Sequence, residues 1–144
     1  MIVYLVRHGE AVAEEVDPAR PLTEKGRAEV EATAKELKEE NVRIDEIWHS
    51  GKLRARQTAE IIAGVLDISK VIEKEGLKPN DSVTPIAAQI RHSNKTLLIA
   101  GHLPFLPKLA SLLKTGTEDK ELKVRMEDKE AEGFRQGGVV RISF

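Results

Sequence analysis

The first ten residues, MIVYLVRHGE, place an apolar run rich in β-branched residues directly before a cluster of polar side chains. The run at 2–6 shows no alternation of polar and apolar positions, which is typical of a strand buried on both faces. Further strand-like runs at 44–48, 71–73, 96–100 and 139–144 alternate with segments of helical spacing. This alternation predicts an α/β fold with a mostly parallel central sheet and helices on both of its faces.

Four segments between these strands are predicted to be helices. Thr23 is expected to cap the first helix, which continues to about residue 40. The second extends from about residue 52 to 67, and the third ends near residue 92 with Asp81 or Ser82 as its cap. Pro104 is expected to open the fourth helix, and the charged segment 117–132 is predicted to be a loop or an edge element.

The composition narrows the class of protein. A length of 144 residues, 40% of them hydrophobic, predicts one globular domain over 1–144. Because 23 Lys and Arg balance 24 Asp and Glu, no overall field attracts nucleic acid or an anionic membrane. The absence of cysteine excludes disulfides, thiolate metal sites and a cysteine nucleophile. The apolar run at 2–6 is too short for a signal peptide, and we expect a cytoplasmic monomer.

Polar residues follow three of the predicted strands at the point where each strand ends. Arg7 and His8 follow the first, Ser50 and Arg54 the second, and His102 the fourth. Ligands of parallel sheets bind beyond the carboxyl ends of the strands, so these residues are expected to meet there. The arginine fork matches phosphate oxygens, and a neutral imidazole can attack phosphorus and carry the phosphoryl group. The sequence therefore predicts a phosphoryl-transfer site at this edge.

Four segments of the chain form a distinctive set of motifs: Arg-His-Gly-Glu at 7–10, Arg-Pro-Leu-Thr-x-x-Gly at 20–26, Ser-Gly-Lys-Leu-Arg-Ala-Arg-Gln-Thr-Ala at 50–59 and Gly-His-Leu-Pro at 101–104. Together they resemble the motifs of the histidine phosphatase, or phosphoglycerate mutase-like, superfamily. The short chain and the His-Leu-Pro form are most similar to bacterial SixA-type phosphohistidine phosphatases. The resemblance implies catalysis without a metal or other cofactor, with His8 as the nucleophile. It further implies that Arg7 and Arg54 bind the phosphate oxygens. His102 would be the fourth pocket residue, and the Leu103 amide a backbone donor.

The chain departs from the family at the general acid. Many members have a glutamate in a Leu-x-Glu segment after the third strand, whereas residues 77–79 here are Leu-Lys-Pro. Glu10, Asp17 and Asp81 are possible acids, and the sequence assigns none of them. A phosphohistidine leaves as an imidazole, which needs less protonation than an alkoxide. The missing glutamate therefore favours a phosphoramidate substrate.

These observations predict a metal-independent phosphatase that acts on a phosphohistidine-bearing protein. A small-molecule phosphomonoesterase of the same fold, acting on a phosphorylated metabolite, is the first alternative. A non-catalytic phosphate-binding or scaffold domain is an alternative of another class. Lys52 and Arg56 are expected to be solvated surface residues, His49 to be a packing residue, and His92 to lie at a helix terminus. The four histidines show no close metal-ligand spacing.

Overall fold

A computed structural model describes residues 1–116 and 134–144, and the charged segment predicted at 117–132 lies outside these residues. The described chain contains five strands and four helices. In chain order they are β1 (Ile2–Arg7), α1 (Glu24–Glu39), β2 (Glu46–His49), α2 (Leu53–Leu66), β3 (Val71–Glu73), α3 (Thr84–Ser93), β4 (Leu97–Gly101), α4 (Phe105–Thr115) and β5 (Val139–Ser143). The predicted α/β fold is confirmed.

The five strands form one sheet in the order β3-β2-β4-β1-β5. All neighbouring pairs are parallel except β1 and β5, which are antiparallel. Arg7 pairs with Gly101, and His49 pairs with Ala100, so β1, β2 and β4 end at nearly the same level. The residues that follow these three strands consequently share one edge of the sheet.

The two faces of the sheet bury separate cores, as alternate residues of each strand point to opposite sides. On one face Val3 and Leu5 of β1 pack with the apolar sides of α3 and α4. On the other face Tyr4 and Val6 pack with α1 and α2. Both faces of β1 are therefore covered, which explains why the run at 2–6 lacks a polar alternation.

Two sequence predictions about local structure are wrong. The second strand starts at Glu46 rather than at residue 44, because its ladder with β4 begins where Glu46 pairs with Leu97. The N-cap of α3 is Val83, whose side chain makes no capping hydrogen bond, rather than Asp81 or Ser82. Asp81 instead accepts a hydrogen bond from the Lys78 amide in the preceding turn, and this local bond removes it from the helix start.

The four helices, α1 to α4, otherwise lie where the sequence predicts them. Thr23 caps α1 by accepting a hydrogen bond from the Gly26 amide at 2.9 Å, and Pro104 is the N-cap of α4. Among the helices of the described residues, none combines the length and the apolar character needed to cross a membrane.

Candidate active site

His8 follows β1 directly and lies at the shared edge of the sheet with 7% of its surface exposed. Its backbone amide donates to the Gly101 carbonyl at 3.0 Å, and its Nδ1 lies 2.7 Å from the Gly9 carbonyl oxygen. A carbonyl oxygen only accepts, so Nδ1 carries the proton and Nε2 of the neutral ring keeps its lone pair. His8 therefore presents a nucleophilic nitrogen at Nε2.

The His8 ring stays neutral at physiological pH. Burial first, and then the positive charges of Arg54, Arg7 and Arg20, lower the pKa of His8 to about 4, against an opposing effect of the Gly9 hydrogen bond. A protonated imidazole has no lone pair at Nε2 and cannot attack phosphorus. The low pKa consequently keeps the nucleophilic form populated at neutral pH.

His102 follows β4 and is 1% exposed. Its ring centroid lies 5.2 Å from that of His8, with an angle of 55° between the ring planes. Burial first, and then electrostatic interactions with His8 and Arg54, lower the pKa of His102 to about 3. The site thus contains two adjacent neutral imidazoles, brought together from strands that are neighbours in the sheet but distant in the chain.

Two arginines supply the positive charge of the site. Arg7 is the last residue of β1, and Arg54 lies in the first turn of α2. Burial lowers the pKa of both guanidinium groups, which nevertheless stay charged because their ordinary pKa is far above neutral. Nη1 of Arg7 donates a hydrogen bond to the Phe134 carbonyl at 3.3 Å. The charges of both arginines act on His8.

Three buried nitrogen atoms of this group have no hydrogen-bond partner in the part of the chain that the structure describes. They are Nε of Arg7, Nε of Arg54 and Nδ1 of His102. Buried polar atoms are normally paired, and an isolated donor in a protein interior is costly. Positive charge and unpartnered nitrogen atoms around one neutral nucleophile suit a phosphoryl group, whose oxygens accept hydrogen bonds.

Arg20 also lies near this site, although no role was predicted for it from the sequence. Its charge lowers the pKa of His8, Arg54 and His102, so the guanidinium lies within electrostatic range of all three. Its Nε donates to the Val12 carbonyl at 3.0 Å. Arg20 is the first residue of the segment 20–26 that resembles the family, and this resemblance is the feature of the sequence that could have indicated a role in the site.

Thr58 connects the loop that carries His8 with the helix that carries Arg54. Its hydroxyl donates to the Arg54 carbonyl at 2.8 Å and accepts from the Gly9 amide at 3.2 Å. The side chain is fully buried. This hydroxyl therefore fixes the nucleophile loop against the first turn of α2.

Replacing Thr58 with Val is expected to destabilise the protein by about 1–3 kcal/mol, because it leaves the buried Gly9 amide without an acceptor while preserving side-chain shape. Urea unfolding at neutral pH measures the change. Thr84→Val, at an exposed position in the first turn of α3, is the matched control and is expected to stay within about 0.5 kcal/mol of wild type. Equal effects of both changes would contradict this role of Thr58.

The possible general acids have structural partners. The Glu10 carboxylate accepts from the Thr23 hydroxyl at 3.1 Å and lies 3.5 Å from the Lys25 ammonium. Asp17 accepts from the Ala19 amide at 3.0 Å, and Asp81 accepts from the Lys78 amide. None of these contacts assigns a proton donor.

The other residues considered from the sequence lie around this edge or away from it. Leu103, 38% exposed, lies just before the N-cap of α4. His49 is buried and its Nδ1 accepts from the Gly51 amide at 3.0 Å. His92 is exposed in the last turn of α3, and the exposed Arg56 pairs with Glu60 at 3.4 Å.

Comparisons with known proteins agree with this geometry. The profile of the histidine phosphatase superfamily (branch 1) matches residues 3–81, which include His8 and Arg54. The phosphohistidine phosphatase SixA of Escherichia coli K12 is 31% identical over 122 residues, covering 81% of this chain and 76% of that protein. A solved structure of the protein histidine phosphatase SixA with tungstate is 29% identical, with a TM-score of 0.74 over 83% of this chain and 81% of that chain.

A second kind of relative shares a shorter segment. The mitochondrial serine/threonine-protein phosphatase Pgam5 of Drosophila mojavensis is 38% identical over 69 residues, which cover 47% of this chain. The same segment is only 24% of the length of that relative. The profile match over more than half of the chain and the match to the E. coli protein agree on the family. The chain belongs to the histidine phosphatase superfamily, is similar to its SixA members, and is a phosphatase.

Proposed function

We propose that this phosphatase removes phosphoryl groups from histidine residues of a protein, through a phosphoryl intermediate on Nε2 of His8. The observation that carries the proposal is a neutral His8 whose Nδ1 bonds to the Gly9 carbonyl and whose Nε2 has no hydrogen-bond partner within residues 1–116 and 134–144. We further propose that residues 1–144 act as one domain. Catalysis is proposed to need no metal, because two arginines already supply the charge that the transferring group requires.

In the first step the Nε2 lone pair of His8 attacks phosphorus and forms a nitrogen–phosphorus bond. The bond from phosphorus to the substrate imidazole breaks, and its electron pair stays on the leaving nitrogen, which then takes a proton. Arg7 and Arg54 are proposed to bind the phosphoryl oxygens, and the Leu103 amide is a further donor. Arg20 is proposed to bind the phosphoryl group or the part of the substrate next to it, since its charge lowers the pKa of both His8 and His102.

In the second step a water oxygen attacks the phosphorus of the intermediate. The nitrogen–phosphorus bond breaks, its electron pair returns to Nε2 of His8, and the water gives up a proton as inorganic phosphate leaves. The environment that lowers the His8 pKa to about 4 helps here also, because a weakly basic imidazole is a good leaving group. The same ring property therefore serves both steps.

The substrate class follows from the leaving group. Residues 77–79 lack the glutamate that many family members have as a general acid, and no carboxylate of the described site is assigned that role. General acid help is typically worth about 10²–10⁴ in rate, and an imidazole leaving group depends on it less than an alkoxide does. The SixA relative, named a phosphohistidine phosphatase, supports this preference.

A comparison of substrates tests the proposal. One substrate is a protein phosphorylated on histidine with phosphoramidate, and the others are p-nitrophenyl phosphate, a sugar phosphate and a phosphoserine peptide. We expect kcat/KM for the phosphohistidine protein to exceed that for each ester by at least about 10²-fold. A preference for the sugar phosphate would favour the small-molecule phosphomonoesterase and overturn the proposal.

A protein phosphomonoesterase is the second candidate, because the Drosophila relative is named a serine/threonine-protein phosphatase. The phosphoserine peptide distinguishes it. Turnover of that peptide at a rate equal to or above that of the phosphohistidine protein would favour this candidate. It would also require a proton donor, for which Glu10, Asp17 and Asp81 are the candidates that the sequence offers.

A further inference from the structure

Ser50 makes a direct hydrogen bond to the second histidine of the site. Its Oγ lies 2.7 Å from Nε2 of His102, and Ser50 and His102 are 6% and 1% exposed, respectively. Ser50 Oγ also accepts from the Lys52 amide at 3.3 Å. The two hydrogen-bonded side chains come from the ends of β2 and β4, which are neighbours in the sheet.

The direction of this hydrogen bond follows from the proton count of a hydroxyl. A serine hydroxyl has one proton to donate and two lone pairs that accept. The Lys52 amide occupies a lone pair, and within the described residues the acceptor available to the Ser50 proton is Nε2 of His102. If Nε2 instead carried a proton, the buried hydroxyl proton would lack an acceptor there, which is unfavourable.

We infer that Ser50 donates to Nε2 of His102 and so holds this ring as the tautomer with its proton on Nδ1. The inference rests on the proposed function of the site, in which Nδ1 then donates to a phosphoryl oxygen. Nδ1 is the buried atom of this ring that has no partner in residues 1–116 and 134–144. Ser50 is thus a positioning residue that acts through His102.

The two histidines of the site consequently have complementary roles. The Gly9 carbonyl holds the proton of His8 on Nδ1 and leaves a lone pair at Nε2 for attack. The Ser50 hydroxyl occupies Nε2 of His102 and leaves a proton at Nδ1 for donation. The low pKa of both rings keeps each with a single proton at neutral pH, so the hydrogen-bond partner decides which nitrogen carries it.

Nitrogen NMR of protein labelled with ¹⁵N-histidine tests the tautomer directly in the absence of substrate. His102→Asn identifies the His102 signals by their disappearance. At pH 7 we expect a pyrrole-type shift for Nδ1 of His102 and a pyridine-type shift for Nε2. Ser50→Ala is expected to move the ring toward the opposite tautomer, and Ser50→Thr, which keeps a hydroxyl, is expected to preserve the wild-type pattern. A wild-type ring with its proton on Nε2 overturns the inference.

Kinetics provide a second readout. We expect Ser50→Ala to lower kcat on the phosphohistidine protein by about 10- to 100-fold with little change in KM, because a donor is lost chiefly in the transition state. Ser50→Thr is expected to recover most of the rate. An unchanged kcat in a folded Ser50→Ala protein contradicts the role of Ser50. If that variant does not fold, the tautomer of His102 measured by NMR in the wild-type protein tests the inference.

The two proposals fail in different ways. Phosphatase activity on phosphohistidine together with an Nε2-protonated His102 refutes the role of Ser50 and leaves the proposed function intact. The expected tautomer in a protein that turns over esters in preference to phosphohistidine refutes the proposed substrate and leaves the Ser50 assignment intact. The NMR measurement needs no substrate, so it remains decisive in either case.

Discussion

Replacing His8 with Ala is expected to lower the rate of phosphate release by at least about 10³-fold, because the substitution removes the attacking atom and no other neutral imidazole nitrogen replaces it. His102 is close, but its Nε2 is occupied by the Ser50 hydroxyl. The measurement is release of inorganic phosphate from a histidine-phosphorylated protein at neutral pH. Substrate affinity is expected to change far less, since Arg7 and Arg54 remain.

His92→Ala is the matched control, because His92 is exposed in the last turn of α3, away from the shared edge of the sheet. It is expected to retain wild-type turnover. Both proteins are assayed with and without EDTA, and rapid quenching of the wild type is expected to trap a phosphoryl group on His8. Full activity in His8→Ala, or loss of wild-type activity with EDTA, would overturn the mechanism. Phosphate binding without any turnover in the wild type would instead indicate the non-catalytic alternative.

Replacing Gly26 with Ala is expected to destabilise the protein by at least about 2 kcal/mol, although alanine is the better helix former. A Cβ at Gly26 would overlap the Glu10 carbonyl oxygen and lie 2.8 Å from the Glu10 amide nitrogen. Both atoms belong to the backbone of Glu10. This backbone is bonded to the start of α1, because the Thr23 amide donates to the Glu10 carbonyl at 3.0 Å. The added carbon therefore has to displace the loop that carries His8.

Gly64→Ala in α2 is the control for helix propensity, because among the described residues a Cβ at this exposed glycine meets no atom within 4 Å apart from its chain neighbours and its own helix backbone. This change is expected to stabilise the protein by about 0.5–1 kcal/mol. Urea unfolding gives both free energies of unfolding, and phosphate release is expected to fall only in Gly26→Ala. Two changes of the same sign and size would show that the contact with Glu10 is unimportant.

The sequence predicts most of the fold because its local signals agree with the tertiary structure. The run at 2–6 is buried on both faces, the Thr23 cap is present, and β3 has the predicted limits at Val71–Glu73. The start of α3 was predicted wrongly because an Asp81 carboxylate can accept a hydrogen bond either from an amide at the helix start or from the Lys78 amide in the preceding turn. No local feature of the sequence decides between these two partners.

Prediction of the site has a different limit. Placement of His8, Arg7, Arg54 and His102 near one edge follows from the parallel sheet, because all four residues lie at or just after strand ends. The contact between Ser50 and His102 crosses 52 positions of sequence and depends on the register of β2 with β4. Arg20 reaches the site from a loop whose path is set by packing against neighbouring segments, so no spacing rule could have placed it.

The position of His8 in the sheet determines how the active site can be lost. Its amide is bonded to the Gly101 carbonyl of β4, and its own carbonyl accepts from the Gly137 amide beside β5, so the nucleophile is tied to chain segments on both sides of β1. Segments held in this way open only with the cooperative unit to which they belong, whereas loops fluctuate at much lower cost. The position of the nucleophile is therefore expected to be lost only when the sheet itself opens, so heating is expected to abolish phosphate release and the folded sheet over the same range of temperature.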